Sequence, residues 1–196
     1  MAAATGPAGE APRIETERLV LRGHEARDFE AVTALWGNPA VVAHIGGKPS
    51  TREESWARML RYAGLWRLLG YGYWAVEEKG TGRFVGDVGF ADFKRAITPS
   101  LEGTPEIGWV LAPAVHGRGY ATEAVQGALG WSERHLAAPA TACIVAPANR
   151  ASLRVAQKCG YREIARTTYK ESEVVMLRRE RAGMGGAAPG STPRCG

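Results

Sequence analysis

The spacing of apolar residues changes several times along this chain, between the two-residue repeat of a strand and the 3.6-residue repeat of a helix. In order, the segments predict a strand, two helices, a β meander, a helix, a strand, a helix and two final strands. A hairpin signature, Lys79-Gly80-Thr81-Gly82, joins the first two strands of the meander. No internal repeat is present. This order predicts an α/β (α+β) fold: a mixed, mostly antiparallel sheet with helices on both faces.

The 196 residues suffice for one hydrophobic core, and 45% hydrophobic with 23% charged residues is an ordinary globular balance. Residues 1–12 and 182–196 consist largely of Ala, Gly, Pro, Ser and Thr, which is typical of disordered tails. We therefore expect a single domain over residues 13–181, between two disordered tails.

The sequence offers no sign of a membrane, an export signal or a metal. No apolar run is long enough to cross a bilayer, and residues 1–7 lack the basic flank and apolar stretch of a secretory signal. Cys143, Cys159 and Cys195 have no C-x-x-C spacing, which argues against a disulfide framework and a zinc site. We expect a cytoplasmic protein without a metal, in which Cys143 and Cys159 are buried, unreactive thiols.

Two helices are predicted before the meander, over residues 26–36 and from a capping box, Ser50-Thr51-Arg52-Glu53, to Gly70. The second should bury one apolar stripe, formed by Trp56, Leu60, Ala63 and Leu68. Nearby aromatic residues fit a core better than an acceptor cleft: Trp56, Trp66, Tyr71, Tyr73 and Trp74.

The net charge of +5 is concentrated in residues 144–181, which hold nine basic and four acidic residues. Within this segment, Arg150, Arg154 and Lys158 recur every four residues and would form one stripe on a helix. No run of consecutive basic residues supports nucleic-acid binding. A solvated face, or contact with a small polyanionic ligand, fits this pattern better.

The most informative local feature is Val115-His116-Gly117-Arg118-Gly119-Tyr120-Ala121-Thr122, between a predicted strand and a predicted helix. Glycines at such a turn let successive amides and the helix N-terminus converge on an anion such as phosphate. Thr122 stands where a dinucleotide fingerprint would have its third glycine, and the P-loop spacing is absent. The segment therefore predicts a phosphate site of another kind, with an ordinary turn as the alternative.

Four blocks in order resemble the GNAT acyl-CoA N-acyltransferase superfamily, and in particular its branch of ribosomal-protein N-terminal acetyltransferases of the RimJ/RimL type. They are Glu17-Arg18-Leu19-Val20-Leu21-Arg22, Gly86-Asp87-Val88-Gly89-Phe90, residues 106–124 and residues 149–161. Together they span roughly residues 13–180. The resemblance implies the GNAT fold and acetyl-CoA as co-substrate.

The resemblance also implies where acetyl-CoA binds. The pyrophosphate would lie on the loop formed by His116, Gly117, Arg118, Gly119, Tyr120 and Ala121, with Thr122 following in the helix. The pantetheine would lie beside a splayed strand, on backbone groups of Trp109, Val110 and Leu111. Asn149 matches the asparagine that contacts pantetheine in the family, and Arg154 is our own candidate for meeting phosphate charge.

The sequence departs from the family pattern at two positions. Ala114 stands where the family prefers Gln or Arg, and Ala156 stands where many members have the tyrosine that protonates the leaving thiolate. Ser152, one helical turn earlier, is the best replacement, because a hydroxyl there could hydrogen-bond the sulfur anion. Its alternative role is that of an ordinary first-turn serine.

Amine attack on a thioester also needs a proton acceptor, since an alkylammonium is mostly protonated at neutral pH. Glu106 lies on the strand expected to flank the thioester and is the preferred candidate, either directly or through water. The alternative is a solvent-exposed carboxylate at a strand end. Glu171 and His116 are weaker candidates, and the other histidines, His24, His44 and His135, are interpreted as surface or packing residues.

The sequence therefore predicts a GNAT N-acetyltransferase that moves an acetyl group from acetyl-CoA directly to a primary amine in a ternary complex. The acceptor is either a protein or peptide N-terminus or a small amine. The alternative is an acetyl-CoA-binding sensor without catalysis. We expect no nucleic-acid or membrane partner, and a homodimer is possible.

Overall fold

The computed structural model of the protein describes residues 9–181. Most of both predicted tails and Cys195 lie outside these residues. Residues 9–12 lie inside them, and the Pro12 carbonyl accepts a hydrogen bond of 2.8 Å from the Trp74 indole N–H. Ala11 packs against the main core. Ordered contacts therefore begin before residue 13.

Eight strands and five α-helices form the described chain. The strands are β1 (Ile14–Glu15), β2 (Leu19–Arg22), β3 (Tyr73–Glu78), β4 (Arg83–Ala91), β5 (Glu106–Leu111), β6 (Ala140–Val145), β7 (Arg162–Tyr169) and β8 (Ser172–Glu180). The helices are α1 (Phe29–Trp36), α2 (Pro39–Val42), α3 (Arg52–Leu69), α4 (Tyr120–His135) and α5 (Arg150–Lys158). Short 3-10 turns precede α1 and α4, at Ala26–Asp28 and Pro113–Val115.

The strands form one sheet in the order β1-β2-β3-β4-β5-β6-β8-β7. Every neighbouring pair is antiparallel except β5 and β6, which are parallel. A parallel pair needs a crossover, and here that crossover carries α4 from one strand to the other. The predicted mixed, mostly antiparallel sheet is confirmed.

Helices cover both faces of the sheet, as predicted. Leu111 of β5 belongs to the main core, which includes Val125 and Trp131 of α4. The adjacent Val110 packs instead with residues of α1 and α3, among them Val32 and Met59. Because successive strand residues point to opposite faces, α4 lies on one face and α1 and α3 lie on the other.

The predicted start of α3 is displaced by one residue. Thr51, not Ser50, is the N-cap, and its hydroxyl accepts from the Glu54 amide at 3.1 Å. The Glu54 carboxylate accepts from the Thr51 amide at 2.7 Å, which completes the capping box. Gly70 ends the helix as predicted, with φ of 72°.

The predicted buried stripe of α3 is wrong. Leu68 is 84% exposed and Leu60 is 56% exposed. The face that meets the sheet is formed by Ser55, Met59, Tyr62 and Trp66. The core interpretation of the aromatic residues is confirmed for Trp66, Tyr73 and Trp74, which are buried, whereas Trp56 is exposed.

Residues 9–181 contain no helix with the length and apolarity needed to cross a bilayer. Nor do they bring three or more His, Cys, Asp or Glu side chains together in a way that could hold a metal ion.

Candidate active site

The parallel strands β5 and β6 touch at one end only. Their register contains a single pair, Glu106 with Ala142, supported by a hydrogen bond of 3.1 Å from the Ala142 amide to the Pro105 carbonyl. From there β5 continues to Leu111 and β6 to Val145 without further pairing. The strands therefore enclose a gap that opens toward their carboxyl ends, here called the β5–β6 gap.

Backbone groups of β5 alternate between β4 and this gap. The Ala112 amide donates to the Val85 carbonyl of β4 at 2.9 Å, and the Val110 carbonyl also faces β4, since a Cβ on Gly86 would lie 2.2 Å from it. By alternation, Trp109 and Leu111 direct their backbone groups into the gap. The expectation that Val110 contributes backbone groups there is corrected, because the β4–β5 ladder uses them.

One backbone group on this edge is already used. The His116 Nε2 lies 2.9 Å from the Leu111 carbonyl oxygen, so Nε2–H must be the donor. This contact ties the start of the following loop to the end of β5. It leaves the Trp109 amide and carbonyl and the Leu111 amide facing the gap, which is the pattern that an added strand-like ligand needs.

Residues 115–122, here called the glycine loop, follow β5 and open α4. Gly117 and Gly119 have φ of 76° and 81°, which non-glycine residues rarely adopt. Within the described chain, the amides of residues 117–122 have no hydrogen-bond acceptor, and the first helical bond runs from the Glu123 amide to the Gly119 carbonyl. Six consecutive free amides at a helix N-terminus favour an anion.

Side chains of the glycine loop point away from these amides, toward β3. Arg118 and the Tyr120 hydroxyl both donate to the Glu78 carboxylate, at 2.8 and 2.7 Å. The hydrogen bond from Tyr120, and then that from Thr81, lowers the pKa of Glu78 to about 2. Of the predicted cofactor-binding residues, Arg118 and Tyr120 therefore offer a ligand mainly their backbone.

A second anchor comes from the chain segment before β2. Arg18 donates to the Glu123 carboxylate at 2.7 Å and to the Arg118 carbonyl at 2.9 Å. Its guanidinium also lies 4.7 Å from the centre of the Tyr120 ring. Sequence reasoning assigned no role to Arg18, Glu78 and Glu123, because each acts through a partner distant in sequence.

The N-terminus of α5 lies at the carboxyl end of β6, across the gap from the glycine loop. Asn149 is its N-cap, with Oδ1 accepting from the Ser152 amide at 3.0 Å. This leaves the Asn149 side-chain amide group free to donate. Ser152 is half-buried in the first turn. Ala156 is fully buried in the main core.

The predicted basic stripe on α5 is exposed. Arg150, Arg154 and Lys158 make no salt bridge or side-chain hydrogen bond with residues 9–181. Their charges extend from the α5 N-terminus at the carboxyl edge of β6. Arg154 is thus exposed and without an ion pair within the described residues.

Glu106 lies where β5 and β6 meet and is only 6% exposed. Arg95 donates to both of its carboxylate oxygens, at 2.7 and 2.8 Å. Burial alone would lower the pKa of Arg95, but the hydrogen bonds to Glu106 raise it. Glu106 is therefore a buried, fixed carboxylate rather than the solvent-exposed strand end considered as the alternative.

An aromatic wall lies on the same face of β5 as Glu106. The Tyr73 hydroxyl lies over Gly108, where a Cβ would be 2.2 Å from it. Its ring stacks on Tyr62 of α3 at 4.3 Å between centroids. Burial, and then the charge of Glu106, raises the pKa of Tyr73. Only a glycine at residue 108 allows this phenol to lie over β5, two residues from Glu106.

The remaining nucleophilic and basic candidates are buried, bonded or remote. Cys143 and Cys159 are buried as predicted, and burial raises the pKa of Cys159 to about 11, so its thiol stays protonated near neutral pH. His24 is a packing residue, with Nε2 2.8 Å from the Asp87 carboxylate. Glu171 is exposed in the turn between β7 and β8.

Comparisons with known proteins agree with this geometry. Residues 18–162 match the family model of the acetyltransferase (GNAT) domain. The uncharacterized protein YkkB of Bacillus subtilis is 33% identical over 159 residues, which cover 76% of this chain and 84% of YkkB. An acetyltransferase structure from Agrobacterium tumefaciens has 27% identity and a TM-score of 0.75, covering 87% of this chain and 95% of that one.

Two more distant structures share the fold. The RimL ribosomal L7/L12 alpha-N-protein acetyltransferase in complex with coenzyme A has 18% identity and a TM-score of 0.69, over 86% of this chain and 97% of that one. The spermidine N-acetyltransferase of Vibrio cholerae, in complex with CoA and spermine, has 18% identity and a TM-score of 0.67, over 86% of this chain and 99% of that one. With the family model covering more than half of its length, the chain belongs to the GNAT acetyltransferase family.

Proposed function

We propose that the protein transfers an acetyl group from acetyl-CoA to a primary amine, directly and in a ternary complex. The observation that carries this proposal is the β5–β6 gap, whose β5 edge has free backbone groups and whose mouth carries six free amides. The two structures of the same fold that contain coenzyme A support the choice of co-substrate.

The pyrophosphate, the pantetheine and the thioester of acetyl-CoA each have a matching group in this arrangement. The pyrophosphate lies on the amides of the glycine loop, where the dipole of α4 adds to the attraction. The pantetheine follows β5 along Trp109 and Leu111 and meets the free amide group of Asn149 on the other side. Arg154 contributes charge at the phosphate end. The thioester then reaches the closed end of the gap, beside Glu106.

Glu106 accepts the proton that the amine loses. Arg95 occupies one lone pair on each carboxylate oxygen, and each oxygen keeps a second lone pair for the ammonium or for a bridging water. Attack of the free amine on the thioester carbon forms the amide bond, and the C–S bond then breaks. The thiolate that leaves takes up the proton that Glu106 accepted, which restores the carboxylate, and the Ser152 hydroxyl hydrogen-bonds the sulfur as its charge develops.

Measurement of thiol release from acetyl-CoA tests this proposal against a panel of peptides with free N-termini, polyamines and aminoglycosides. Acceptor-dependent release, with acetylated product identified by mass spectrometry, is the expected result. Saturable acetyl-CoA binding without release for any acceptor would contradict transfer and favour the sensor. The fold neighbours act on a protein N-terminus in one case and are named for spermidine in the other, so both acceptor classes belong in the panel.

A further inference from the structure

A basic groove lies beside the reacting end of the β5–β6 gap. It is an open pocket of about 380 Å³ along the N-terminal half of α3. Its charged lining consists of Lys48, Arg58 and Arg61 against a single carboxylate, Glu54. Glu54 is committed to the capping box through the Thr51 amide. We call the surface formed by Lys48, Arg58 and Arg61 the basic groove.

The basic groove carries an excess of positive charge, because three cations lie with one carboxylate, Glu54. Within residues 9–181, neither Lys48, Arg58 nor Arg61 forms a salt bridge. Arg58 stacks over Trp36 with its guanidinium carbon 3.6 Å from the ring centre, and its Nε is buried without a hydrogen-bond partner. A stacked guanidinium presents its planar donors in a fixed direction, which suits a carboxylate or phosphate.

Arg61 brings the groove close to the reacting end. The Arg61 guanidinium carbon is 5.9 Å from the Tyr62 ring centre and 5.9 Å from the Phe93 ring centre. The Arg95 guanidinium lies 4.5 Å from the centre of the same Phe93 ring, and Arg95 donates to the Glu106 carboxylate. The nearest groove cation and the side-chain pair at the thioester end therefore share one aromatic neighbour.

We infer that the acceptor is an amine that carries an anionic group, a carboxylate or a phosphate, several bonds from the nitrogen. The amine lies at Glu106 and the anion lies in the basic groove. A polyamine places positive charge in the groove and is disfavoured by repulsion. This inference rests on the proposed function, since it names the acceptor class of the same site.

Matched acceptors test the inference. We would compare peptides with a free N-terminal alanine that differ only in two glutamates or two glutamines after the second residue. An amino sugar with and without a phosphate, together with spermidine, forms the small-molecule arm. Because each exposed ion pair changes affinity by up to about fivefold, the glutamate peptide or the phosphorylated sugar should show a kcat/KM about tenfold higher than its matched partner.

Two single-residue variants test whether the preference for anionic acceptors arises in the basic groove. Arg61→Gln should raise KM for the anionic acceptor several-fold with little change in kcat. It should leave KM unchanged for the matched acceptor that lacks the anionic group. Arg134→Gln is the control, since Arg134 is an exposed arginine of α4 on the opposite face and lacks a salt bridge within the described chain. An N-acetylated glutamate peptide, which cannot react, should bind the wild type in calorimetry more tightly than it binds Arg61→Gln.

Turnover without preference for anionic acceptors, or an equal loss for both acceptors in Arg61→Gln, would overturn the inference while leaving acetyl transfer intact. Preference for the phosphorylated sugar alone would identify a small metabolite, and preference for the glutamate peptide alone would identify an acidic peptide. Either result supports the inference. Failure of every acceptor to release thiol would contradict the proposed function, and the inference falls with it.

Discussion

At the scale of single residues, position in the sequence identified Glu106 as a candidate base but did not identify its partner. Its place on the strand before the glycine loop identified it as a candidate. Its partner Arg95 lies 11 residues away in a loop without a recognisable pattern, and their pairing depends on how that loop folds over the sheet. Contacts of this kind arise from tertiary packing, which local spacing does not encode.

Replacement of Glu106 by Gln tests its proton-accepting role. The amide keeps the shape of the side chain but removes the charge and most of the basicity, so kcat should fall by about 10²-fold or more. The loss should be largest at low pH, where the amine is most protonated. The measurement is the pH dependence of kcat and kcat/KM, with the acetyl-CoA dissociation constant as the control for structure. An unchanged pH profile would mean that another group accepts the amine proton.

Replacement of Gly119 by Val tests the phosphate site. Residue 119 has φ of 81°, and a branched side chain is strained there and stands beside the free amides of the loop. We expect acetyl-CoA binding to be lost in calorimetry. Gly70→Val is the matched control: its φ is 72°, it ends α3, and a Cβ there meets nothing within 4 Å. Unchanged affinity in a folded Gly119→Val protein would contradict the assignment.

At the scale of elements, the order of the longer strands and helices was predictable from periodicity, because each must present an apolar face to one core. The short β1 and α2 were not predicted, since two and four residues are too few to show a period. Which face of α3 is buried was not predictable in this way. Its sequence places Trp56 and Leu60 on one side and Met59, Tyr62 and Trp66 on another, so hydrophobicity alone does not distinguish them. Tyr62 and Trp66 face inward because both have a partner in the sheet. Tyr62 stacks on Tyr73, and the Trp66 indole N–H donates to the Tyr73 carbonyl.

Two adjacent residues of α3 test which face is buried. Met59 is 5% exposed and Leu60 is 56% exposed. Met59→Ala should lower the free energy of unfolding by about 2–5 kcal/mol through the lost burial and the cavity. Leu60→Ala should change it by only about 0.5 kcal/mol. Urea denaturation gives both values, and a larger effect at Leu60 would mean that this face is covered by something other than solvent.

At the scale of the whole molecule, the two faces of the sheet carry different helices and different surfaces. One face carries α4 and α5, whose N-termini stand on either side of the gap. The other carries α1 to α3, with the aromatic wall and the basic groove beside Glu106. Glycines and a helix cap mark the first face in the sequence, and the proposed acetyl-CoA site rests on them. The second face depends on which residues of α3 turn inward, so the groove proposed for the acceptor was not predictable from local spacing.

Acid should destabilise the molecule through its paired carboxylates. The folded-state pKa of Glu78, about 2, lies below an unfolded value of about 4.3. A depressed pKa contributes stability that is fully present above the unfolded value and is lost as pH falls toward the folded one. The free energy of unfolding should therefore decrease from about pH 4.3 downward.

The variant Glu78→Gln isolates this contribution, because it removes the charge that holds Arg118 and Tyr120. Its deficit in stability relative to the wild type should be largest near neutral pH and should shrink as pH approaches 2. Urea denaturation of both proteins from pH 6 to pH 2.5 gives the comparison. A deficit independent of pH would show that Glu78 acts through packing rather than charge.

A crystal structure of the protein with coenzyme A bound would be the sharpest test of the proposed site. We expect the pyrophosphate within hydrogen-bond distance of the amides of residues 117–122. We also expect the pantetheine in the β5–β6 gap, bonded to the backbone of Trp109, and the sulfur beside Glu106. Coenzyme A bound elsewhere, or a gap closed by pairing between β5 and β6, would contradict the proposed site.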